Sequence, residues 1–217
     1  MRNQYNEQLK TLNEELINMG GLCQEAIALS VNALTNADKS SAKQVGVIEE
    51  KINDAQRSIE TLCLKLLLKQ QPVAGDLRQI SAALKMITDL ERIGDGASDI
   101  ADITAFLNGK TGNECTDIRP MAKYAAVMVT QSIEAYVNRD LALARKVMKD
   151  DDIVDNCFLN VKNTLIKFIS ENSSDGEYAI DLLMIAKYFE RIADHAVNIA
   201  EWAEFAVTGI HCGKEEL

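Results

Sequence analysis

The sequence has 217 residues, of which 47% are hydrophobic and 26% are charged, and this composition excludes a disordered chain. Its 33 acidic and 23 basic side chains give a net charge of −10, so nucleic acid is excluded as the main partner, because an acidic surface repels phosphate backbones. The chain starts with polar residues, and no apolar run approaches the ~18 residues of a membrane-spanning helix. We therefore expect a cytoplasmic protein without a signal peptide and without direct membrane insertion.

Apolar residues recur at intervals of three and four in nearly every segment, as they do on one face of a helix. In the first segment this spacing runs through Leu9, Leu12, Leu16, Met19 and Cys23. Polar breaks at 36–41, 72–75, 108–114, 138–140 and 172–176 divide the chain into six predicted helices of about 25–33 residues. Because short links join long helices, we expect antiparallel neighbours and an all-α fold.

An internal repeat is the most informative feature of the chain. Residues 89–102 read DLERIGDGASDIAD and residues 188–201 read YFERIADHAVNIAE, with seven of 14 positions identical. Each copy lies on the third helix of a three-helix set. The sequence therefore predicts two tandem antiparallel three-helix bundles related by duplication. We place the first repeat at 1–107, the linker at 108–114 and the second repeat at 115–210.

The third and sixth predicted helices each carry a column of carboxylates opposite an apolar stripe. At 100° per residue these carboxylates share one face of their helix. They are Glu91, Asp95 and Asp102 in the first copy, and Glu190, Asp194 and Glu201 in the second. Like charges one turn apart destabilise a helix by a few tenths of a kcal/mol per pair, and a hard cation bound between them would offset that repulsion. The duplicated pattern therefore predicts metal sites, with a solvated acidic face as the alternative.

Three further carboxylates and one histidine are also candidates. Asp54 and Asp155 lie at matching places on the second and fifth helices and could complete the coordination across each bundle, although surface carboxylates are the simpler interpretation. Asp99 in the first motif is a further candidate ligand. His195 points away from the carboxylate column and nothing around it repeats in the first copy, so we do not expect a phospho-acceptor there.

Glycines and the end of the chain give further expectations. The adjacent Gly20 and Gly21 weaken the first helix and predict a bend. Gly94 lies inside the first motif, where its cost in helix stability predicts close packing or a functional contact, and Gly96 predicts the same. The polar tail that includes His211 is expected to be disordered.

The run QQPVAGDLR at 70–78, followed by the two ERI-containing motifs, resembles the PhoU family of bacterial phosphate-uptake regulators over essentially the whole chain. The resemblance implies a pair of three-helix bundles, no enzymatic activity, a cytoplasmic location and frequent homodimers. It also implies negative regulation of phosphate import and phosphate-starvation signalling. The implied partners are the ATPase subunit of a phosphate ABC transporter and a phosphate-sensing histidine kinase.

The resemblance also bears on the metal sites. Some family members carry iron or Mg/Mn on their ExxxD motifs, which by motif position implies the pairs Glu91–Asp95 and Glu190–Asp194 as ligands. The fuller family motif reads close to ERIGDHAxNIAE. This chain departs from it at three positions, which are Gly96 for His and Asp99 for Asn in the first copy, and Ala193 for Gly in the second. The two sites therefore need not be equivalent.

Two other function classes compete with a regulatory adaptor. The first is a carboxylate-bridged metalloenzyme, such as a phosphohydrolase, on a helical bundle. The sequence offers no HD, HxH or GxSxG pattern from which a nucleophile and a base could be built, so we expect no enzyme. The second is a plain helical spacer, which has no use for stacked like charges.

Overall fold

The structure is a computed structural model, and it describes residues 2–70, 74–112, 115–171, 173–211 and 214–215. Most of these residues lie in six long α-helices. The helices are α1 (Arg2–Asn36), α2 (Lys39–Gln70), α3 (Ala74–Thr104), α4 (Ile118–Asn138), α5 (Leu141–Glu171) and α6 (Gly176–Thr208). The predicted all-α fold is confirmed, although α4, with 21 residues, is shorter than expected. The predicted stop at Pro72 lies outside the described residues.

Helices α1, α2 and α3 pack on one another, and so do α4, α5 and α6, which confirms two tandem three-helix bundles. The bundles meet where α3 packs along α6, and α1 also contacts α4. Helices α2 and α5 lie on the outside, each against the other two helices of its own bundle. The boundaries 1–107 and 115–210 stay a prediction. Within the described ranges, no helix is both long and apolar enough to cross a membrane.

The apolar stripes of the repeated motif are buried as predicted. Leu90, Ile93, Ala97 and Ile100 on α3 are fully buried, and the matching residues of α6 lie in the same core. At roughly 25 cal/mol per Å² of apolar surface removed from water, each large aliphatic side chain contributes about 1.5–3 kcal/mol. Burial of the stripes therefore turns the opposite faces of α3 and α6, which carry the carboxylates, toward the neighbouring outer helix and the solvent.

The short polar links contain side chains that cap the start of the next helix. The Asp38 carboxylate accepts hydrogen bonds from the Ser40 backbone N–H at 2.9 Å and the Ser41 hydroxyl at 2.7 Å, at the start of α2. Asp140 accepts one from the Leu143 N–H at 3.0 Å, at the start of α5. The bonds from the Ser40 and Leu143 N–H groups each satisfy an orphan backbone donor of a helix N-terminus, so the predicted breaks at 36–41 and 138–140 have a local cause.

Two of the helical glycines lie where helices approach closely. A Cβ atom on Gly20 would lie 2.1 Å from Cδ1 of Ile133, so a side chain here would force the Ile133 side chain or the α1–α4 contact to shift. A Cβ on Gly94 would lie 2.9 Å from Cδ1 of Ile52 on α2, which confirms the close packing predicted for Gly94. The bend predicted at Gly20 and Gly21 stays a prediction.

The described part of the tail after α6 is ordered against that helix, so the expectation of disorder at His211 is wrong. Residues Ile210–His211 and Lys214–Glu215 form a short antiparallel ribbon. The imidazole of His211 stacks on the indole of Trp202, with 3.8 Å between ring centroids. Stacking on a half-buried aromatic ring holds a segment whose composition alone predicts no structure.

Candidate functional site

The first carboxylate group consists of Glu49 on α2 and Glu91 and Asp95 on α3. The Arg92 guanidinium lies 3.4 Å from the Glu91 carboxylate and 3.1 Å from that of Asp95. The Ser98 hydroxyl donates to Glu49 at 3.3 Å, which ties α3 to α2 beside the pair. The structure thus brings the predicted pair Glu91–Asp95 together with a carboxylate from the neighbouring helix.

Burial raises the pKa of Glu91 above its ordinary value, and the Asp95 charge one turn away raises it further. The Arg92 charge acts in the opposite direction, and Glu49 adds to the increase. A raised pKa means that the surroundings disfavour the ionised carboxylate, first through burial and then through the neighbouring negative charges.

The second carboxylate group consists of Asp151 and Asp155 on α5, and Glu190 and Asp194 on α6. Lys187 forms an ion pair with Glu190, whose side chain is only 13% exposed. The predicted pair Glu190–Asp194 is thus joined by carboxylates from the adjacent outer helix, and Asp155 is among them. The same arrangement of an inner and an outer helix appears in both repeats.

Asp151 is the most strongly perturbed carboxyl of this group. Burial, followed by the charges of Asp155, Asp194 and Glu190, raises its pKa to about 6. One of its oxygens, Oδ1, is buried and has no hydrogen-bond partner. Burial, followed by the Glu190 charge, also raises the pKa of Asp194. A buried acceptor without a donor costs about 1–3 kcal/mol, so Asp151 lies where a cation would be stabilised.

The donor set is oxygen-only, which suits hard cations such as Mg²⁺ and Mn²⁺ and also accommodates iron. In the side-chain positions seen here, no three His, Cys, Asp or Glu residues of the described ranges are placed so that they could hold one metal ion. The carboxylates are instead within electrostatic range of one another. The chemistry of the donors and the unpartnered oxygen of Asp151 suit a hard cation, and a bound ion would require these carboxylates to move closer together.

The remaining predicted candidates are spread over the molecule. Asp54 is exposed and pairs with Arg57 at 3.3 Å. Asp102 lines a cleft of about 550 Å³ near the end of α1 and the start of α2. Glu201 is half-buried on α6. Asp99 accepts a hydrogen bond from the hydroxyl of Tyr188.

Sequence reasoning missed Glu49, Asp151 and Lys187. A signal for the first two was present, because acidic runs at 49–50 and 150–152 precede Asp54 and Asp155 by about one helical turn. Which member of each run faces α3 or α6 depends on how α2 packs on α3 and how α5 packs on α6. That relation between helices does not show in the periodicity of either helix alone.

A polar contact between the repeats lies beside both carboxylate groups. Asp89 on α3 accepts hydrogen bonds from Nδ1 of His195 at 2.9 Å and from the Asn198 amide at 3.1 Å. In the repeat alignment, the counterparts of Asp89 and Asn198 are Tyr188 and Asp99, which also contact each other. The two repeats therefore place contacts at equivalent positions of α3 and α6, but different residue types make them.

Comparison with known proteins bears on this duplicated arrangement. The family model described as the PhoU domain matches residues 16–104 and again residues 118–203, once on each three-helix repeat. The chain belongs to the PhoU family. Among curated relatives, a phosphate-specific transport system accessory protein PhoU homolog from Clostridium acetobutylicum is 35% identical over 207 residues, covering 94% of each chain. A homolog of the same name from Pseudomonas aeruginosa is 33% identical, covering 95% of this chain and 86% of its own.

Solved structures extend the similarity to the fold. PhoU from Pseudomonas aeruginosa has a TM-score of 0.89 at 33% identity, covering 95% of this chain and all of that one. The phosphate transport system regulatory protein PhoU from Streptococcus pneumoniae has a TM-score of 0.85 at 25% identity, covering 95% of this chain and 98% of its own. The similarity spans both repeats, so the family assignment applies to the whole arrangement of two bundles.

Proposed function

We propose that this protein is an accessory regulator of phosphate transport, acting as a negative regulator of phosphate import and of phosphate-starvation signalling. One observation carries the proposal: similarity to proteins named as phosphate-specific transport accessory proteins extends over 94–95% of the chain. It covers both repeats and both carboxylate groups. The chain also covers 94% and 86% of the lengths of these two relatives, so we propose for it the role that their names give.

Regulation would operate by docking in the cytoplasm, on the ATPase subunit of a phosphate ABC transporter and on a phosphate-sensing histidine kinase. The net charge of −10 suits basic faces on these partners, because charge complementarity speeds encounter. The purified protein should bind each partner in surface plasmon resonance, with an association rate that falls as salt rises from 50 to 300 mM. Absence of binding to both partners at micromolar concentrations would overturn the docking proposal.

Metal binding would neutralise the two carboxylate groups. The first group offers Glu49, Glu91 and Asp95, and the second offers its four carboxylates at the α5–α6 contact. A bound Fe, Mg²⁺ or Mn²⁺ would supply positive charge and crosslink an inner helix to its outer neighbour. The chain's own residues would then present a less acidic, more rigid face to a partner.

Protein purified without chelator should contain metal by elemental analysis. At 100 times the dissociation constant, metal should stabilise the fold by about 2.7 kcal/mol. The matched control replaces Glu91, Asp95, Glu190 and Asp194 with their amides, which should abolish that gain. Metal content below about a tenth of an equivalent, together with no stabilisation by Mg²⁺ or Mn²⁺, would contradict this part of the proposal.

The proposal includes no catalytic turnover. The curated relatives are named accessory proteins and the structural relative from Streptococcus pneumoniae a regulatory protein, so the metalloenzyme alternative is not favoured. Phosphatase, kinase and ATPase assays on metal-loaded protein should show no activity above that of the Glu91→Gln variant.

We further propose a homodimer in solution, which light scattering coupled to size exclusion would detect as about twice the 24.0 kDa chain mass.

A further inference from the structure

Lys187 is a cation beside the second carboxylate group, and contacts with two helices set its position. Its ammonium donates to Oε2 of Glu190, one turn further along α6. The same ammonium lies 5.4 Å from the ring centroid of Phe158 on α5, so the side chain is also held from the neighbouring helix. The ring contact restricts the freedom of the Lys187 side chain, which is 45% exposed, and so makes the ion pair with Glu190 less costly to form.

The charge of Lys187 reaches beyond its direct partner. It opposes the increase that burial and Glu190 produce in the pKa of Asp194, so it acts on a second member of the group. A single ammonium therefore partly compensates the crowded carboxylates. Compensation is incomplete, because Asp151 keeps a buried oxygen without a partner.

The first repeat is built differently. The residue at the place of Lys187 is Thr88, which is exposed and uncharged. Positive charge comes there from Arg92, whose side chain is 55% exposed. The counterpart of Arg92 in the second repeat is Arg191, which lies 5.9 Å from the Tyr188 ring centroid and has no ion pair with any described residue. The two groups thus obtain their internal cation from different helix positions.

We propose that Lys187 is a resident cation of the second carboxylate group, holding Glu190 when metal is absent and competing with a divalent metal for that carboxylate. The inference rests on the metal binding proposed above and adds a determinant of affinity to one of the two sites. A metal that binds Glu190 must displace the ammonium and then lie near its positive charge. Both effects weaken metal binding at the second site.

The expected change in metal affinity follows from ion pairs with one partly exposed partner, as between Lys187 and Glu190. Such pairs typically change an equilibrium constant by up to about fivefold, and repulsion between the ammonium and a divalent ion adds to that. Removal of the charge should therefore tighten metal binding at the second site by about threefold to tenfold. Introduction of a lysine at Thr88, one turn before Glu91, should weaken binding at the first site by a similar factor.

The test measures Mn²⁺ binding by electron paramagnetic resonance, which counts free Mn²⁺, on the full chain with one site disabled. In the Glu91→Gln/Asp95→Asn background, Lys187→Met keeps the apolar stem over Phe158 and removes the charge. Lys187→Arg keeps the charge and should leave the affinity close to the unmodified value. The matched control Lys123→Met removes an exposed charge on α4, which supplies no member of either group, and should change affinity less than 1.5-fold.

Tightening of at least threefold in Lys187→Met, absent in the arginine and control variants, would support the proposal. Equal affinities in all four proteins would overturn it while leaving the proposed metal site intact. No Mn²⁺ binding in any variant up to millimolar concentrations would overturn both. The reciprocal Thr88→Lys variant, in a Glu190→Gln/Asp194→Asn background, provides a second measurement: unchanged affinity there would also contradict the competition.

Discussion

The perturbed carboxyl of Asp151 predicts an unusual pH dependence of stability for the metal-free protein. Its ordinary pKa is 3.8, and in the fold the pKa rises to about 6 because of burial and the neighbouring carboxylates. Between these values the folded state binds more protons than the unfolded state, so the contribution of Asp151 to stability falls as pH rises. The destabilisation is absent below pH 4 and fully present above pH 7.

The size of this effect is limited by solvent. The difference between a pKa of 3.8 and one of about 6 corresponds to at most about 3 kcal/mol, and because Asp151 is only half-buried, screening reduces this to about 1 kcal/mol. Asp151→Asn removes the ionisation and should raise the free energy of unfolding at pH 7.5 by that amount. For a chain of this size the melting temperature should rise by about 2–4 °C, with no gain at pH 4.

Urea unfolding in the presence of a chelator, at pH 4 and at pH 7.5, measures both predictions. Asp54→Asn is the matched control, because Asp54 is exposed and pairs with Arg57, and it should change stability by less than about 0.5 kcal/mol. If Asp151→Asn is less stable than the unmodified protein at pH 7.5, or is stabilised equally at both pH values, the electrostatic reasoning is wrong. With saturating Mn²⁺ at pH 7.5, Asp151→Asn should instead be less stable than the unmodified protein, because the variant lacks one of the proposed metal ligands.

Two further predictions concern packing between the repeats. Gly20→Ala should destabilise the fold by about 1–3 kcal/mol, because the new Cβ would overlap Ile133, whereas Gly21→Ala, which meets nothing within 4 Å, should stabilise it by up to about 1 kcal/mol. Thermal unfolding would show this, and opposite signs at these adjacent positions are the decisive result. Tyr136→Phe should cost about 1 kcal/mol in urea unfolding, because its buried hydroxyl donates to the Gln79 carbonyl at 2.8 Å; an unchanged free energy of unfolding would contradict that role.

The helices could be predicted from the sequence because their causes are local. The apolar stripe of the first motif, from Leu90 to Ile100, identifies which face of α3 is buried without any knowledge of its neighbours. Caps such as Asp38 and Asp140 act within three residues of themselves, so the breaks could also be located. The stacking of His211 on Trp202 has no such local signal, and it was missed.

Only part of the candidate site could be predicted, because only some of its residues are brought together within a single helix. Glu91 and Asp95 share a helix, so their proximity follows from the helical period, and the second copy repeats it. Glu49 and Asp151 reach their groups across a helix–helix contact, whose register depends on how side chains interlock. Gly94 marks that contact in the first repeat, where a Cβ would lie 2.9 Å from Cδ1 of Ile52 and would force the side chain or the helix to shift.

The most direct test of the central claim is phosphate uptake in the source organism after deletion of the gene. With phosphate abundant, the deletion strain should take up more labelled phosphate than its parent and should express starvation genes. A copy of the gene supplied in trans should restore both to the parental level. Uptake and starvation-gene expression that remain at the parental level in the deletion strain would contradict the assignment of this protein as a negative regulator of phosphate transport.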